Sequence, residues 1–260
     1  MSKEQIMKEI EKDINVLETD HKSTNPAYSL NADIYYSKDG IMYLAYKDVS
    51  PSNVKMSEIM IDFLLHGKEG YEPETTKIVK GLIKEGDVCA DIGASIGYFS
   101  LLFAKLSKTG RVHSIEPARC QHEYFMKNMI ANNVSDRVKL YDCAAWDKEE
   151  EIEMFSSALL KGTNTKVRCI PIDKILEPLD RVDFIKIDVD GSEVQTIKGL
   201  QKTIAKNPNL RMIIEYYPKY LKLAGNDPQE LMALLEKDFT LTKVEKDYGN
   251  EYWNYLCIRK

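Results

Sequence analysis

Nowhere in this 260-residue sequence do apolar residues run to the ~20 needed to cross a bilayer, so a membrane-spanning helix is excluded from the reading. No secretory leader is expected either, because charge begins at Lys3 with no apolar stretch behind it. The five cysteines, at positions 89, 120, 143, 169 and 257, form no C-x-x-C pair and are odd in number. Free thiols in a reducing compartment, the cytoplasm, are expected. The four histidines, at 21, 66, 113 and 122, lack metal-ligand spacing. There is no long basic run: 36 Lys and Arg are interleaved with 41 Asp and Glu, for a formal charge of −5, which argues against a nucleic-acid partner. Internal repeats and low-complexity tracts are absent as well. What remains is ordinary globular material, long enough to bury a sizeable core.

Ile6, Ile10, Ile14 and Leu17 recur at helical spacing and predict an amphipathic opening helix, suited to a substrate lid or a homodimer surface. Residues 20–71 are irregular, with a strand expected over 41–46 and an apolar cluster at 59–65. Residues 1–70 therefore read as a cap over a main domain of residues 71–260. Beyond Pro73 the pattern becomes regular, with strands expected over 88–92, 112–116, 138–143, 184–188, 212–215, 239–244 and 253–258. Helical patterns fill most of the gaps, which predicts a mostly parallel α/β sheet covered on both faces. The connection 245–251 is too short for a helical crossover, so the last two strands should be antiparallel. Two shorter strand-like pieces, 151–155 and 166–170, form an insertion.

The sharpest local signal is Val88-Cys89-Ala90-Asp91-Ile92-Gly93-Ala94-Ser95-Ile96-Gly97-Tyr98, an apolar strand that breaks through glycines into a helix. Such a turn lets backbone approach a ligand and aims the free N–H groups of the helix at it. Its spacing, D-x-G-x-x-x-G, is not the G-x-G-x-x-G that makes room for a pyrophosphate. Ligands bind beyond the carboxyl ends of parallel strands, and these ends are acidic: Asp91, Glu116, Asp142 and Asp188, with Asp190 just beyond. Glu116 stands where a second strand delivers its acid to a ribose. The segment around Asp142, Cys143 and Ala144 suits an adenine edge, with a carboxylate for the exocyclic amine and backbone N–H groups for ring nitrogens. An acidic cleft would repel a pyrophosphate and attract S-adenosylmethionine, which carries a sulfonium and an ammonium.

Taken together, Tyr71-Glu72-Pro73, the Asp91–Gly97 turn, Glu116-Pro117, Asp142-Cys143-Ala144-Ala145, Lys186-Ile187-Asp188-Val189-Asp190-Gly191-Ser192-Glu193 and Ile214-Glu215 resemble the FkbM family of class I S-adenosylmethionine-dependent methyltransferases. The likeness covers residues 71–216. It implies a seven-stranded sheet of order 3-2-1-4-5-7-6 with the last strand antiparallel, and methylation of hydroxyls on sugars, glycans or small metabolites. It also implies cofactor contacts from Glu72, Asp91, Gly93, Ser95, Gly97, Tyr98, Glu116, Pro117, Asp142, Cys143, Ala144 and Asp188, with Glu72 closing over the methionine end. Two positions depart from the family pattern: Ser95 replaces Asn, and Asp190 replaces Glu.

An alcohol must lose its proton as it attacks the methyl group. Asp190 is the leading base candidate, with Lys186 and Glu193 as further catalytic candidates. Lys186 lies in an apolar strand and needs a carboxylate partner, Asp188 or Glu215. Glu193 also suits the first turn of a helix, where the dipole favours an acid. Asp188, Asp190 and Glu215 offer a hard oxygen set for Mg²⁺ as an alternative. His113 reads as a core residue rather than a base. Rival readings are an RNA, DNA or other N-methyltransferase and a non-catalytic S-adenosylmethionine-binding scaffold. The Asn-Pro-Pro-Tyr-like loop of base methylation is absent after the fourth strand, and Asn25-Pro26-Ala27-Tyr28 precedes the first strand, outside that context.

Overall fold

The computed structural model describes residues 32–36, 42–46, 71–154, 165–244 and 252–260. The expected helix near the N-terminus and the cluster at 59–65 lie outside the described residues. Strands β1 (Ala32–Tyr36) and β2 (Met42–Tyr46) form an antiparallel hairpin with Ile34 opposite Leu44.

From residue 71 the chain alternates helix and strand: α1 (Pro73–Leu82), β3 (Val88–Ile92), α2 (Tyr98–Ser107), β4 (Arg111–Ile115), α3 (Arg119–Ala131) and β5 (Val138–Tyr141). An insertion follows, made of β6 (Ala144–Trp146), β7 (Glu150–Met154), β8 (Thr165–Pro171) and the single turn α4 (Asp173–Leu176). The chain then returns through β9 (Phe184–Ile187), α5 (Glu193–Lys198), α6 (Gln201–Lys206), β10 (Arg211–Tyr216), α7 (Pro218–Leu223), α8 (Pro228–Asp238), β11 (Phe239–Val244) and β12 (Trp253–Arg259).

The main sheet has seven strands in the order β11-β12-β10-β9-β3-β4-β5. Strands β5, β4, β3, β9 and β10 are parallel, and β12 runs antiparallel to both β10 and β11. This is the expected class I methyltransferase order. Central strands buried on both faces need mostly apolar runs, and Val88–Ile92 and Phe184–Ile187 supply them, interrupted only by Asp91 and Lys186. One face carries Cys89, Val112, Phe184 and Ile213 against Val79, Leu101 and Phe103 of α1 and α2. The other carries Ala90, Ile92, Ile185 and Ile214 against Val194, Ile197 and Leu235 of α5 and α8.

Two strand ends differ from expectation. The third parallel strand stops at Tyr141, where Cys143 N bonds back to Tyr141 O at 3.1 Å. The chain then leaves the main sheet, and Ala144 pairs with Cys169 in a separate sheet of order β6-β8-β7. The fourth stops at Ile187, so Asp190 does not continue the strand alternation of Lys186 and Asp188. Instead it occupies a turn with φ 50°, followed by Gly191 at φ 109°.

Register aligns the functional edge. Ile92 is level with Ile115 and with Ile187, and Ile187 with Ile214. The next residues, Glu116, Gly93, Asp188 and Glu215, therefore stand in one row along the carboxyl ends. Asp142 extends the row at one side, because Tyr141 is level with Ile115. Asn254 of β12, directly opposite Glu215, extends it at the other. No helix among the described residues is long and apolar enough to cross a membrane.

Candidate active site

The glycine turn is held by its own protein before any ligand arrives. Gly93, Ser95 and Gly97 all have positive φ, at 85°, 50° and 91°. Gly93 N and Ala94 N both donate to Ile115 O, at 2.9 and 3.0 Å, tying the turn to the neighbouring strand end. A Cβ on Gly93 would collide with the carbonyl oxygen of Asp188, and one on Gly97 with Met129 and Phe125. The glycines thus allow two strand-end loops and a helix to meet closely, a reason the sequence pattern alone does not separate from close approach to a ligand.

Glu116 is the best-organised acid. It is buried, and each carboxylate oxygen accepts one backbone N–H: Oε2 from Ser95 and Oε1 from Ala118, both at 2.8 Å. A carboxylate oxygen has room for a further donor, so two adjacent acceptor sites remain in a geometry fixed by backbone. Ser95 Oγ donates to Gln121 Oε1 at 2.8 Å, and His122 Nε2 bonds Glu116 O at 2.7 Å. Burial pushes the Glu116 carboxyl from 4.5 up to about 7, against those two N–H bonds and with Asp91 and Asp190 adding to the push. Asp190 is therefore near enough for its charge to act on Glu116, although 74 positions separate them in sequence.

Asp91 lies beneath this edge, level with Ser114 and Lys186 on the flanking strands. Ser100 Oγ donates to Asp91 Oδ2 at 2.6 Å and shares a 2.8 Å hydrogen bond with Ser114 Oγ. Burial raises the Asp91 carboxyl, while Lys186 and then Ser100 pull it back. Lys186 finds its partner in Asp188, Nζ to Oδ2 at 2.8 Å, and lies over the Phe99 ring at 4.6 Å from its centroid. Glu193 starts α5 and folds back on its own loop: Oε1 accepts from Val189 N at 3.2 Å and Gly191 N at 3.3 Å. Those two bonds clamp the turn that displays Asp190. Burial brings the Glu193 carboxyl up to about 7.

Asp142 is exposed and forms an ion pair with Arg119 at 2.7 Å. Cys143 is buried in the core, where burial pushes its thiol up to about 11. Ala144 opens β6, and Pro117 stands between the two bonded residues Glu116 and Ala118. Tyr98 hydrogen-bonds Thr76 Oγ1 at 3.2 Å and packs edge-on against Tyr71 and Phe99. Glu72 is the N-cap of α1, with Pro73 at its first position, but its side chain makes no cap bond. Its Oε2 instead accepts from Asn254 Nδ2 at 2.9 Å. His113 is buried and bonds the Tyr141 hydroxyl through Nδ1 at 2.9 Å.

The Mg²⁺ alternative drew on Asp188, Asp190 and Glu215. Among the described residues no group of three or more His, Cys, Asp or Glu side chains is placed to hold a metal ion. Asp188, one of the three expected ligands, is instead engaged by Lys186. The described cysteines, 89, 143, 169 and 257, are unpaired and buried. Sequence reasoning passed over Asn254, Gln121 and the Ser100–Ser114 pair. For Asn254 a signal existed, an amide inside the apolar run Trp253–Arg259.

The family model described as Methyltransferase FkbM domain matches residues 91–252. Methyltransferase sdnD from Sordaria araneosa is 21% identical over 215 residues, which cover 65% of this chain and 80% of that protein. Among solved structures, the O-methyltransferase TomG from Streptomyces achromogenes, in complex with SAM, matches with a TM-score of 0.51 at 14% identity. The match covers 82% of this chain and 92% of that one. An rRNA methylase from Streptococcus thermophilus matches with a TM-score of 0.50 at 10% identity, over 71% and 93% of the two chains. At such identities these two structures share the fold.

Proposed function

Because the chain belongs to the methyltransferase FkbM family, and is thus an S-adenosylmethionine-dependent methyltransferase, we propose that it methylates a hydroxyl oxygen on a sugar, glycan or small metabolite. The observation that carries the hydroxyl reading is the turn after β9. There Asp190 is exposed in a left-handed conformation, on a loop clamped by Glu193, and close enough to Glu116 to perturb it.

The residues present fit the methyl donor. The two remaining acceptor positions of Glu116 match a ribose diol, and the bonds from Ser95 and Ala118 fix them in advance. The row of strand-end acids favours a cationic ligand over a pyrophosphate. When bound, S-adenosylmethionine supplies a methyl group activated by the sulfonium. In this reading Glu116 holds the ribose, the Asp91–Gly97 turn shapes the adjoining wall, and Asp188 faces the amino-acid end. Asp190 accepts the proton of the attacking hydroxyl. Lys186 holds Asp188 in place and offsets part of the buried negative charge.

A carboxylate at the end of the fourth parallel strand suits an O–H nucleophile, which must be deprotonated. An exocyclic base amine is instead served by the Asn-Pro-Pro-Tyr-like loop that this chain lacks there. The test is release of S-adenosylhomocysteine from S-adenosylmethionine across a panel of sugars, glycans, amines and RNA, with the methylated atom located by mass spectrometry. Hydroxyl acceptors should turn over, and Asp190→Asn should lower kcat by about 10²–10⁴-fold while leaving S-adenosylhomocysteine affinity nearly unchanged. Turnover on RNA or amines alone would overturn the reading, as would cofactor binding without turnover on any acceptor.

A further inference from the structure

The turn that displays Asp190 is held from two directions. From its own loop, Glu193 Oε1 accepts Val189 N and Gly191 N, while Ser192 N and Oγ both donate to Val189 O, at 3.3 and 3.1 Å. From 35 positions away comes Asn226, in the link between α7 and α8, whose Nδ2 donates to Gly191 O at 2.8 Å. The same Nδ2 donates to Gln195 Oε1 at 3.1 Å, and Gln195 Nε2 donates back to Asn226 Oδ1 at 2.8 Å. A backbone carbonyl only accepts, so the bond to Gly191 decides which way the Asn226 amide faces, and the reciprocal pair orients Gln195 to match. Both Nδ2 hydrogens are then used.

The backbone of Asn226 is placed independently of that pair. Gly225, at φ 80°, closes α7: Gly225 N bonds Lys222 O at 3.0 Å, and Asn226 N bonds Leu221 O at 2.8 Å. Such paired bonds around a left-handed glycine are a common way to end a helix. Leu221 is fully buried, which anchors the cap in the core. The turn also abuts α7 directly, since a Cβ on Gly191 would lie 2.6 Å from Tyr220 O.

This grip has something to hold. A non-glycine residue at positive φ is strained and persists only where its surroundings over-determine it, and Asp190 sits at φ 50°. The four backbone groups of its neighbours, Val189 N and O and Gly191 N and O, all have partners, and Gly191 O is the one bonded by a side chain from beyond α5. We propose that Asn226, oriented by Gln195, is a positioning residue for methyl transfer: by holding the Gly191 carbonyl it keeps Asp190 in the conformation from which its carboxylate receives the acceptor's proton. This rests on the reading of Asp190 as the base.

The test compares the full 260-residue chain with Asn226→Ala, Asp190→Asn and the double variant. Hydrogen exchange of ¹⁵N-labelled amides, read by NMR, reports the grip with no acceptor present. Val189 and Gly191 N–H should exchange about tenfold faster in Asn226→Ala, while Val112 N–H, bonded to Arg137 O in the sheet, exchanges as before. Transfer from S-adenosylmethionine to the hydroxyl acceptor that responds in the panel above reports the consequence. Asn226→Ala should lower kcat about 10–10²-fold and leave both KM values within about twofold. In the Asp190→Asn background it should cost nothing further, because a residue that acts through Asp190 then has no base to position. Should Asn226→Ala fail to fold, Gln195→Leu removes only the orienting partner and should move exchange and kcat the same way by a smaller factor. Losses that multiply in the double variant overturn the proposal, as does unchanged exchange at Val189 and Gly191. A kcat lowered by Asp190→Asn but not by Asn226→Ala refutes the positioning role and leaves the proposed function intact. Turnover undiminished in Asp190→Asn, or confined to RNA or amines, defeats the base reading and this role with it.

Discussion

The protonation of Glu116 makes the ribose assignment measurable without an acceptor. With its carboxyl at about 7, Glu116 is roughly 90% ionised at pH 8 and roughly 10% ionised at pH 6. In the proposed reading its oxygens accept from two ribose hydroxyls as well as from Ser95 and Ala118, and only the ionised form has acceptor capacity for all four. A ligand that requires the ionised form loses affinity as that form is depleted, so binding should weaken about tenfold from pH 8 to pH 6. The probe is 5′-methylthioadenosine, which keeps the nucleoside and lacks the amino-acid end, removing its ammonium from the titration. Calorimetry at several pH values reads the affinity directly. The stability of the unliganded protein should move the other way. A carboxyl raised above its unfolded value stabilises the fold below about 4.5, and that contribution is lost as pH rises through about 7. Glu116 and Glu193 share this sign, so the unliganded chain should melt at a lower temperature at pH 8 than at pH 6. Glu116→Gln should bind weakly at every pH and lose the binding slope. A flat affinity between pH 6 and pH 8, or a slope that survives in Glu116→Gln, would refute the reasoning.

Lys186→Met removes the cation from a buried pair and leaves Asp188 and Asp91 facing each other's charge, which should cost about 3 kcal/mol. Scanning calorimetry should then show a melting temperature lower by roughly 6–12 °C, and adding Asp188→Asn should recover part of the loss; a loss below about 1 kcal/mol would contradict a structural ion pair. Gly93→Ala should prevent stable folding, because its Cβ meets the Asp188 carbonyl at φ 85°. The control is Gly81→Ala near the end of α1, which meets nothing within 4 Å and should stabilise by about 0.5–1 kcal/mol.

The strand order was legible because burial on both faces writes itself as apolar runs. Val88–Ile92, Phe184–Ile187 and Arg211–Tyr216 carry such runs and lie side by side at the centre. The boundary at Tyr141 was not legible. Residues 138–146 form a nearly continuous strand-like pattern, and only the tertiary pairing of Ala144 with Cys169 divides it. Asp142 was read as a ligand group from its place at a strand end, and its exposed ion pair with Arg119, 23 positions away, was not announced by the sequence. The partnership of Asn254 with Glu72 was invisible for a different reason. It joins residues 182 positions apart and depends on the N-terminus of α1 lying over β12.

Charge ties these observations together. The functional edge concentrates carboxylates whose burial resists ionisation: Asp91 and Glu116 are both raised by desolvation, and Asp91 and Asp190 each push Glu116 further up. Lys186 is committed to Asp188 and lies beneath the row, so it offsets that charge only in part. A cationic ligand bound along this row would favour the ionised acids. By linkage, it would release protons as it binds near neutral pH. The neutral thioether product lacks the sulfonium charge and gains less from those carboxylates, which favours its departure after transfer. In the proposed reading the unliganded edge therefore resists ionisation, and a cationic donor gains more from it than a neutral product does. Donor and product should therefore differ most in affinity above pH 7, where Glu116 is ionised, and converge below it. Calorimetry with S-adenosylmethionine and S-adenosylhomocysteine at both ends of that range tests the step, and a ratio independent of pH would defeat it.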